Sequence, residues 1–403
     1  MKILLCHNYY QQRGGEDLCF EQEGTLLRQN GHQVIEYIRH NDEVQSMGQT
    51  TLARKTIWNE HSYKQITDLI RRHQPEVMHC HNTFPLISPA AYRAAQDAGV
   101  PVVQTLHNFR LLCPGALLMR DSKVCLDCLG KSVAWPAIVH RCYRGSMPAS
   151  AVTTAMLAYH RLQNTWQQDV DQYIALTDFS RQKFVEGGLP AERLSVKCNF
   201  LDPDPGVGTG GGGYAVFVGR LSTEKGIDTL LEAWSHLDGP MRLKIIGDGP
   251  MAETVRQAAE QDARIEYLGF QPLDEVCRLL SKAECLVMPS IWYETFGRTI
   301  VEAFAAGTPV VVSDLGAMRE LVTEGKTGFV FKPGDASDLA EKVQMLMDDP
   351  RFKREMRDAA REEYEQKFTA KANYTQLMEI YRLTGATETV KANAPDPAIT
   401  ETV

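Results

Sequence analysis

The stretch Cys285-Leu286-Val287-Met288-Pro289-Ser290-Ile291-Trp292-Tyr293-Glu294-Thr295-Phe296-Gly297-Arg298-Thr299-Ile300-Val301-Glu302-Ala303-Phe304-Ala305-Ala306-Gly307 decides the reading of this chain. It opens on a short apolar run with the length of a buried strand. It closes on an Ala-rich helical run that Gly307 ends. Two glutamates, Glu294 and Glu302, stand with seven residues between them. The first follows the strand, and the second lies inside the helix. Carboxylates there face the crevice at the strand ends, where open α/β sheets bind ligands. They can accept hydrogen bonds from hydroxyls, so a ligand rich in hydroxyls, a sugar or a ribose, suits them.

Working outward, the same strand–helix alternation runs through most of the 403 residues. Strands are predicted over 2–6, 33–38, 76–80, 101–106, 172–176 and 194–199, with helices such as 15–29, 63–73 and 88–98 between them. A second series follows: strands 214–218, 242–246, 265–268, 284–288 and 309–312, with helices 225–236, 250–261, 272–281 and 298–306. Helices 335–348, 350–366 and 370–383 complete it. Such alternation predicts an α/β protein of two Rossmann-like, doubly wound domains facing a cleft. The Pro/Gly run Asp202-Pro203-Asp204-Pro205-Gly206-Val207-Gly208-Thr209-Gly210-Gly211-Gly212-Gly213 reads as a flexible linker between them. The predicted division is 1–205, 206–368, a helix over 369–385 that could cross back onto the first domain, and a disordered tail over 386–403.

Composition narrows the function. With 43% apolar and 23% charged residues, the chain is an ordinary globular protein. Its longest apolar runs are strand-sized, too short to span a bilayer. The opening Met1-Lys2-Ile3-Leu4-Leu5-Cys6 reads as a first strand rather than a signal peptide. A net charge of −8 argues against nucleic acid as a partner. Residues 1–205 carry 21 Lys/Arg against 20 Asp/Glu, whereas 206–403 carry 22 against 31. An anionic ligand of that acidic half therefore needs local cations. Ten cysteines without an export signal suggest a reducing compartment, and the expected location is cytoplasmic. Cys6, Cys80, Cys198 and Cys285 lie in strand-like runs and read as core thiols.

The local cations stand in Val218-Gly219-Arg220-Leu221-Ser222-Thr223-Glu224-Lys225-Gly226, after one predicted strand and before a helix. Glycine allows close approach, the helix start offers free N–H groups, and Arg220 and Lys225 add charge. That combination suits a diphosphate; the plainer reading is a solvated βα loop. Gly247-Asp248-Gly249-Pro250 forms another glycine turn at a strand end, with Asp248 a candidate helix cap. Asp169-Val170-Asp171 and Asp202-Pro203-Asp204 imitate a metal-binding Asp-x-Asp but read as coincidental.

The glutamate pair, the Arg/Lys glycine loop and the following Gly307-Thr308-Pro309-Val310 turn occur in the order seen in retaining glycosyltransferases of family 4, and the chain resembles that family over residues 1–383. The resemblance implies the GT-B fold and sugar transfer from a nucleotide diphosphate sugar to a glycan or lipid-linked acceptor. Surface polysaccharide or glycolipid synthesis is the expected setting. It gives Gly14 and Gly15 of Gln12-Arg13-Gly14-Gly15-Glu16-Asp17, and Gly219, Arg220, Lys225, Gly247 and Gly249, to the donor. Glu302 would hold ribose. Glu294, helped by the Phe296-Gly297 backbone, would hold the transferred sugar, as would His107. His107, Arg220, Lys225 and Glu294 are thus the candidate catalytic residues, and His81-Asn82 is an acceptor-side candidate. Fixed cations facing the leaving diphosphate would make a metal unnecessary for the chemistry. The alternatives are a nucleotide-sugar epimerase of the same fold, or a non-catalytic nucleotide-sugar-binding protein. A glycosidase would leave the cationic loop unexplained.

An insertion over 108–165 departs from the family pattern. Within it, Cys113, Cys125, Cys128 and Cys142 present a Cys-x2-Cys pair with two outlying cysteines, a spacing that suits one structural zinc; free thiols or a redox pair are the alternatives. Residues 129–168 contain no Asp or Glu, yet carry Lys131, Arg141, Arg144 and Arg161 among Trp135, Ile138, Val139, Tyr143 and Trp166. Peripheral contact with anionic lipid at the inner face of a membrane would suit that composition; packing within the domain would also account for it.

Overall fold

The computed structural model describes residues 1–386 and the backbone of 399–401. The chain runs β1 (Lys2–Tyr9), α1 (Gly15–Gln29), β2 (Gln33–His40), α2 (Gln49–Ile57), α3 (Glu60–His73), β3 (Val77–Asn82), α4 (Ala90–Asp97) and β4 (Val102–Leu106). The insertion follows, with hairpin strands β5 (Met119–Arg120) and β6 (Lys123–Val124) and helices α5 (Trp135–Val139), α6 (Met147–Leu162) and α7 (Thr165–Gln168). Next come β7 (Gln172–Ala175), α8 (Asp178–Glu186) and β8 (Leu194–Val196). The second series is β9 (Tyr214–Val218), α9 (Ile227–His236), β10 (Arg242–Ile246), α10 (Ala252–Gln261), β11 (Ile265–Gly269), α11 (Leu273–Lys282), β12 (Cys285–Met288), α12 (Arg298–Ala305) and β13 (Val310–Ser313). It ends with α13 (Gly316–Leu321), β14 (Gly328–Phe331), α14 (Ala336–Asp348), α15 (Pro350–Lys367), α16 (Ala370–Leu383) and β15 (Ile399–Glu401).

Two compact units result: residues 1–118, 125–197 and 373–403, and residues 119–124 with 198–372. The first holds a parallel sheet in the order β15-β2-β1-β3-β4-β7-β8, and the second a parallel sheet in the order β11-β10-β9-β12-β13-β14. Strands β3, β4, β7, β12 and β13 are buried along their whole length. That is the mark of parallel strands covered by helices on both faces. In each sheet the strand order reverses at one place, β1/β3 in the first and β9/β12 in the second. Crevices at such switch points are where doubly wound sheets bind ligands.

The second core gathers Leu230, Trp234, Leu243, Ile245, Val287, Val311 and Leu339 around its sheet. The first core includes Leu377, Met378, Ile380 and Tyr381 of α16, packed with Ile3, Leu5, Val77 and Val103. This apolar stripe recurs every three or four residues, so one face of α16 is buried in the first unit. The tail expected over 386–403 lies largely outside the described residues; within it, β15 pairs in parallel with β2.

The glycine run is not the flexible linker that its composition predicts. The contact boundary falls at Lys197/Cys198, ahead of the run. The backbone N–H groups of Gly208, Gly210 and Gly212 donate to the carbonyls of Ala306, Ser281 and Lys282 at 2.9 Å each. The Arg357 guanidinium reaches the Gly208 carbonyl at 2.9 Å. A Cβ on Gly208 or Gly212 would lie 2.1 or 2.6 Å from a backbone carbonyl oxygen. Here glycine admits close approach of two backbones rather than slack. The neighbouring Asp204 pairs with Arg361 at 2.8 and 2.7 Å, so this half of the Asp-x-Asp is an ion-pair partner. Cys198 is half-buried, not a core thiol, whereas Cys6, Cys80 and Cys285 are buried.

Arg357→Ala removes the side-chain tie on Gly208 and should speed limited proteolysis within 206–213 several-fold, with the rest of the chain still resistant. Equal cleavage rates in parent and variant would contradict a docked run.

Candidate functional site

In the second unit, the loop after β9 and the loop after β12 meet at the switch point. Gly226 sits at φ 71° where a Cβ would strike the Pro289 carbonyl oxygen at 1.9 Å. The Ile291 N–H donates to the Glu224 carbonyl at 2.9 Å. This close contact sets Lys225 beside Glu294, Nζ to Oε1 at 2.6 Å. The same oxygen accepts from Ser290 Oγ at 2.9 Å and from Trp292 Nε1 at 3.0 Å. The Lys225 ammonium also lies 5.5 Å from the Trp292 ring centre. Glu294 is buried and Lys225 half-buried, so the pair is partly withdrawn from water and strengthened for it. Arg220 is exposed at the loop's outer end.

Gly297 caps α12, which begins after Thr295, Phe296 and Gly297, the three residues that separate it from Glu294; a Cβ on Gly297 would meet Ile300 Cδ1 at 2.6 Å. The Phe296 side chain is buried, its ring 6.3 Å from that of Phe368. One turn on, Glu302 is buried and accepts from Arg298 Nε at 3.0 Å. Charge near Glu302 reaches Cys277 too: burial first, then Glu302, pushes that thiol up to about 12.

Gly219, Gly247 and Gly249 belong to two adjacent loops laced together. Gly219 N–H donates to Ile246 O at 3.0 Å and Leu221 N–H to Asp248 O at 2.9 Å. Gly247 (φ 137°) and Gly249 (φ 156°) could take a Cβ only by striking the carbonyls of Gly219 and Leu221, at 1.8 and 2.4 Å. These two glycines thus have a packing reason independent of any ligand. Asp248 is not the expected helix cap: its carboxylate accepts from Gly249 N–H at 2.7 Å, and α10 begins only after Met251.

In the first unit, the loop after β1 leads into α1. Gly14 is exposed, and a Cβ there would meet nothing within 4 Å; Gly15 is exposed beside it. Asp17 holds the turn, accepting from Gly14 N–H at 2.9 Å and contacting His7 Nε2 at 2.7 Å. Glu16 accepts from Tyr10 OH at 3.1 Å and Asn108 Nδ2 at 3.3 Å. Burial, reinforced by the Asp17 charge, pushes its carboxyl up to about 8. With His81, His107, Asn108 and Arg110, Glu16 lines a small cavity of about 60 Å³ at the strand ends.

Behind His107 stands a buried chain that sequence reading missed. Lys197 Nζ binds Glu23 Oε2 at 2.7 Å and Asn373 Oδ1 at 3.2 Å. Glu23 Oε1 lies 3.1 Å from His81 Nε2, and His81 Nδ1 lies 3.0 Å from His107 Nε2. His79 joins Glu23 at 3.0 Å, Tyr381 OH at 2.9 Å and Thr105 Oγ1 at 2.8 Å. Burial alone would raise the Glu23 carboxyl, but Lys197, His79 and His81 outweigh it and hold it well below the usual carboxylate range. Burial depresses His81 to about 4 and His107 well below its usual value. Both rings are therefore neutral at neutral pH. An ionised Glu23 accepts from His81 Nε2–H, so His81 Nδ1 accepts from His107 Nε2–H. His107 Nδ1 is then an acceptor. His81 thus backs His107 rather than an acceptor molecule, and Asn82 braces the turn, accepting from Phe84 N–H at 3.0 Å. Glu23, His79 and His81 bring three donor atoms within 4.8 Å; the Lys197 ammonium already supplies the positive charge there.

The insertion brings its four thiols into one neighbourhood, but among the described residues no three of their sulfurs lie within 4.8 Å of one another, so the set expected for zinc is not assembled. Cys113 and Cys128 are buried, Cys125 and Cys142 half-buried. A Cβ on Gly115 would lie 3.5 Å from Cys142 Cβ and 3.7 Å from Cys113 Sγ. Burial, then Cys113, Cys142 and Cys125, pushes the Cys128 thiol up to about 11.

Comparison with known proteins bears on the fold and the family. Residues 209–363 match the family described as Glycosyl transferases group 1, and residues 27–199 match the Glycosyl transferase 4-like domain. The chain is 26% identical over 303 residues to the alpha-D-kanosaminyltransferase of Streptomyces kanamyceticus, covering 73% of each. Its fold is similar to Anabaena HepE solved with UDP (TM-score 0.70, 20% identity, 94% of this chain and 99% of that one). It is also similar to sucrose-phosphate synthase from Thermosynechococcus elongatus (TM-score 0.71, 18% identity, 96% and 99%). The fold is GT-B. With a glycosyltransferase domain matched in each half, the chain is a glycosyltransferase of that class.

Glu16 sets a pH signature. Native Glu16 keeps its proton to about pH 8, whereas an unfolded glutamate loses it near 4.5. The native state therefore binds more protons between those values, and stability falls as pH rises across that window. Glu16→Gln should raise the melting temperature above the parent at about pH 9 and converge with it near pH 5. A difference that is constant with pH would contradict the assignment.

Proposed function

We propose that this glycosyltransferase is a retaining enzyme that moves a sugar from a nucleotide diphosphate sugar to a glycan or lipid-linked acceptor, in the synthesis of a surface polysaccharide or glycolipid. The observation that carries the donor assignment is the contact of Lys225 with Glu294 at 2.6 Å. It puts a phosphate-binding cation and a sugar-binding carboxylate side by side, as a donor needs where its diphosphate meets its sugar. HepE was solved with UDP and with UDP-glucose, which supports a nucleotide sugar and makes UDP-glucose the first donor to try. The matched relatives transfer sugars rather than isomerise them, which disfavours the epimerase reading.

In this reading Lys225 and Arg220 meet the diphosphate with the N–H groups at the start of α12. Glu302 takes the ribose hydroxyls. Glu294 accepts from sugar hydroxyls; the first unit's candidate, by the resemblance, is neutral His107. Retention comes from the resemblance in the glutamate pair: the departing diphosphate takes the acceptor's proton on the face it leaves. Fixed cations offset the charge that develops on the leaving group, so the chemistry needs no metal.

Lys225→Ala should cut turnover at least tenfold with the fold intact, since a charge-assisted contact contributes about 1.5–3 kcal/mol. Glu302→Ala should weaken the bare nucleoside diphosphate, and Glu294→Ala mainly the intact donor. Calorimetry with both ligands checks this; equal weakening of the bare diphosphate by both variants would defeat the division.

The same proposal gives Cys113, Cys125, Cys128 and Cys142 one structural zinc on their spacing in the sequence. Their thiols would have to draw together to bind it, and four thiolates at about 2.3 Å would close its coordination, leaving no position for chemistry. Zinc binding would then be local folding energy. Elemental analysis of untagged protein should give one zinc per chain, lost on Cys125→Ser; zinc well below that, with four titratable thiols in the folded protein, would rule it out.

A further inference from the structure

Twelve large apolar side chains are exposed among the described residues, and eight of them fall between Leu117 and Leu162. The most exposed are Leu162 at 79%, Val139 at 58% and Trp135 at 57%. Six of the eight, all but Leu117 and Leu126, lie on or beside α5 and α6. Trp135 and Val139 stand four residues apart on one face of α5, while Ala134 and Ala137 are fully buried on the other. Two contacts lay α5 antiparallel along α6. Arg161 Nη1, near the end of α6, donates to the Lys131 carbonyl at 2.6 Å. Tyr143 N–H, beyond α5, donates to Ser150 Oγ near the start of α6 at 3.0 Å. Val133, Tyr159 and Leu162 therefore share one end of the α5–α6 pair and Met147 lies at the other, with Trp135 and Val139 between. The sixteen residues of α6 give this strip a length of about 24 Å.

Exposed cations flank the strip: Lys131 at one end, and Arg141 and Arg144 at the other, with His140 beside Val139. No carboxylate occurs from 129 to 168 in a chain of net charge −8. Apolar bulk flanked by cations, with a Trp at its centre, is what a bilayer interface with anionic headgroups selects. No helix of the described residues is long and apolar enough to cross a membrane, so the contact would be one of lying on the surface.

We propose that the α5–α6 face of the insertion is a docking surface for an anionic phospholipid bilayer, with Trp135 and Val139 entering the interface and Lys131, Arg141 and Arg144 facing phosphates. It stands whether or not the donor assignment holds. Each cation near the headgroups is worth about fivefold in partitioning.

Sedimentation of the full chain with vesicles tests this. The protein should pellet with phosphatidylcholine vesicles containing phosphatidylglycerol, not with phosphatidylcholine alone, and less as salt rises. Trp135→Glu with Val139→Glu should lower the bound fraction at least tenfold, and Arg141→Glu with Arg144→Glu should do the same, with the melting temperature unchanged in both. Brominated lipid should quench parent fluorescence but quench Trp135→Phe less. Absence of binding to anionic vesicles, or binding unchanged in the double variants, would overturn the proposal. A parent dimer that Trp135→Glu with Val139→Glu splits would assign the face to a second copy of the chain instead.

Discussion

The contact on which the second unit's site depends is steric before it is electrostatic. Two βα loops at the β9/β12 switch point approach so closely that position 226 has no room for a Cβ beneath the Pro289 carbonyl. That approach brings the Lys225 ammonium to Glu294. Ser290 and Trp292 then hold the carboxylate from two further sides. Such pre-orientation is what electrostatic catalysis requires of a site that carries fixed charges in place of mobile water. The lacing of Gly219 and Leu221 onto the β10 loop extends the same constraint one strand further.

The first unit uses a different device for a similar end. Its β1/β3 switch point is backed by ionised and neutral polar groups in a row, from Lys197 through Glu23 and His81 to His107. Unpaired, any of these would be costly to bury; in sequence each satisfies the next. Asn373 and Tyr381 of α16 join the network, so the C-terminal helix is held by polar contacts as well as by its apolar stripe.

Much of this was legible in the sequence, because parallel strands buried on both faces write themselves as short apolar runs. Strands β9 and β10 match their expected bounds at both ends, and α12 and α16 differ from theirs by at most one residue. The carboxylate pair and the cationic loop were legible because rare residue types recur there at fixed spacing. What sequence hid was pairing at a distance. Nothing in Ser195-Val196-Lys197-Cys198 says that its lysine is buried against Glu23, and His81 reads as an acceptor candidate until its contact with His107 is seen. The glycine run misled for a related reason: glycine serves slack and close packing alike, and only the carbonyls of Ser281, Lys282 and Ala306 distinguish them. The insertion resisted a strand–helix reading altogether, since α5 and α6 pack through small residues without a strong periodic signal.

The most direct measurement is a structure of the protein soaked with a nucleotide diphosphate sugar. The account predicts the diphosphate within hydrogen-bond reach of Lys225 Nζ, the Lys225–Glu294 contact loosened in its favour, and Glu294 accepting from hydroxyls of the transferred sugar. A donor bound with its diphosphate away from Lys225, and the pair intact, would contradict it.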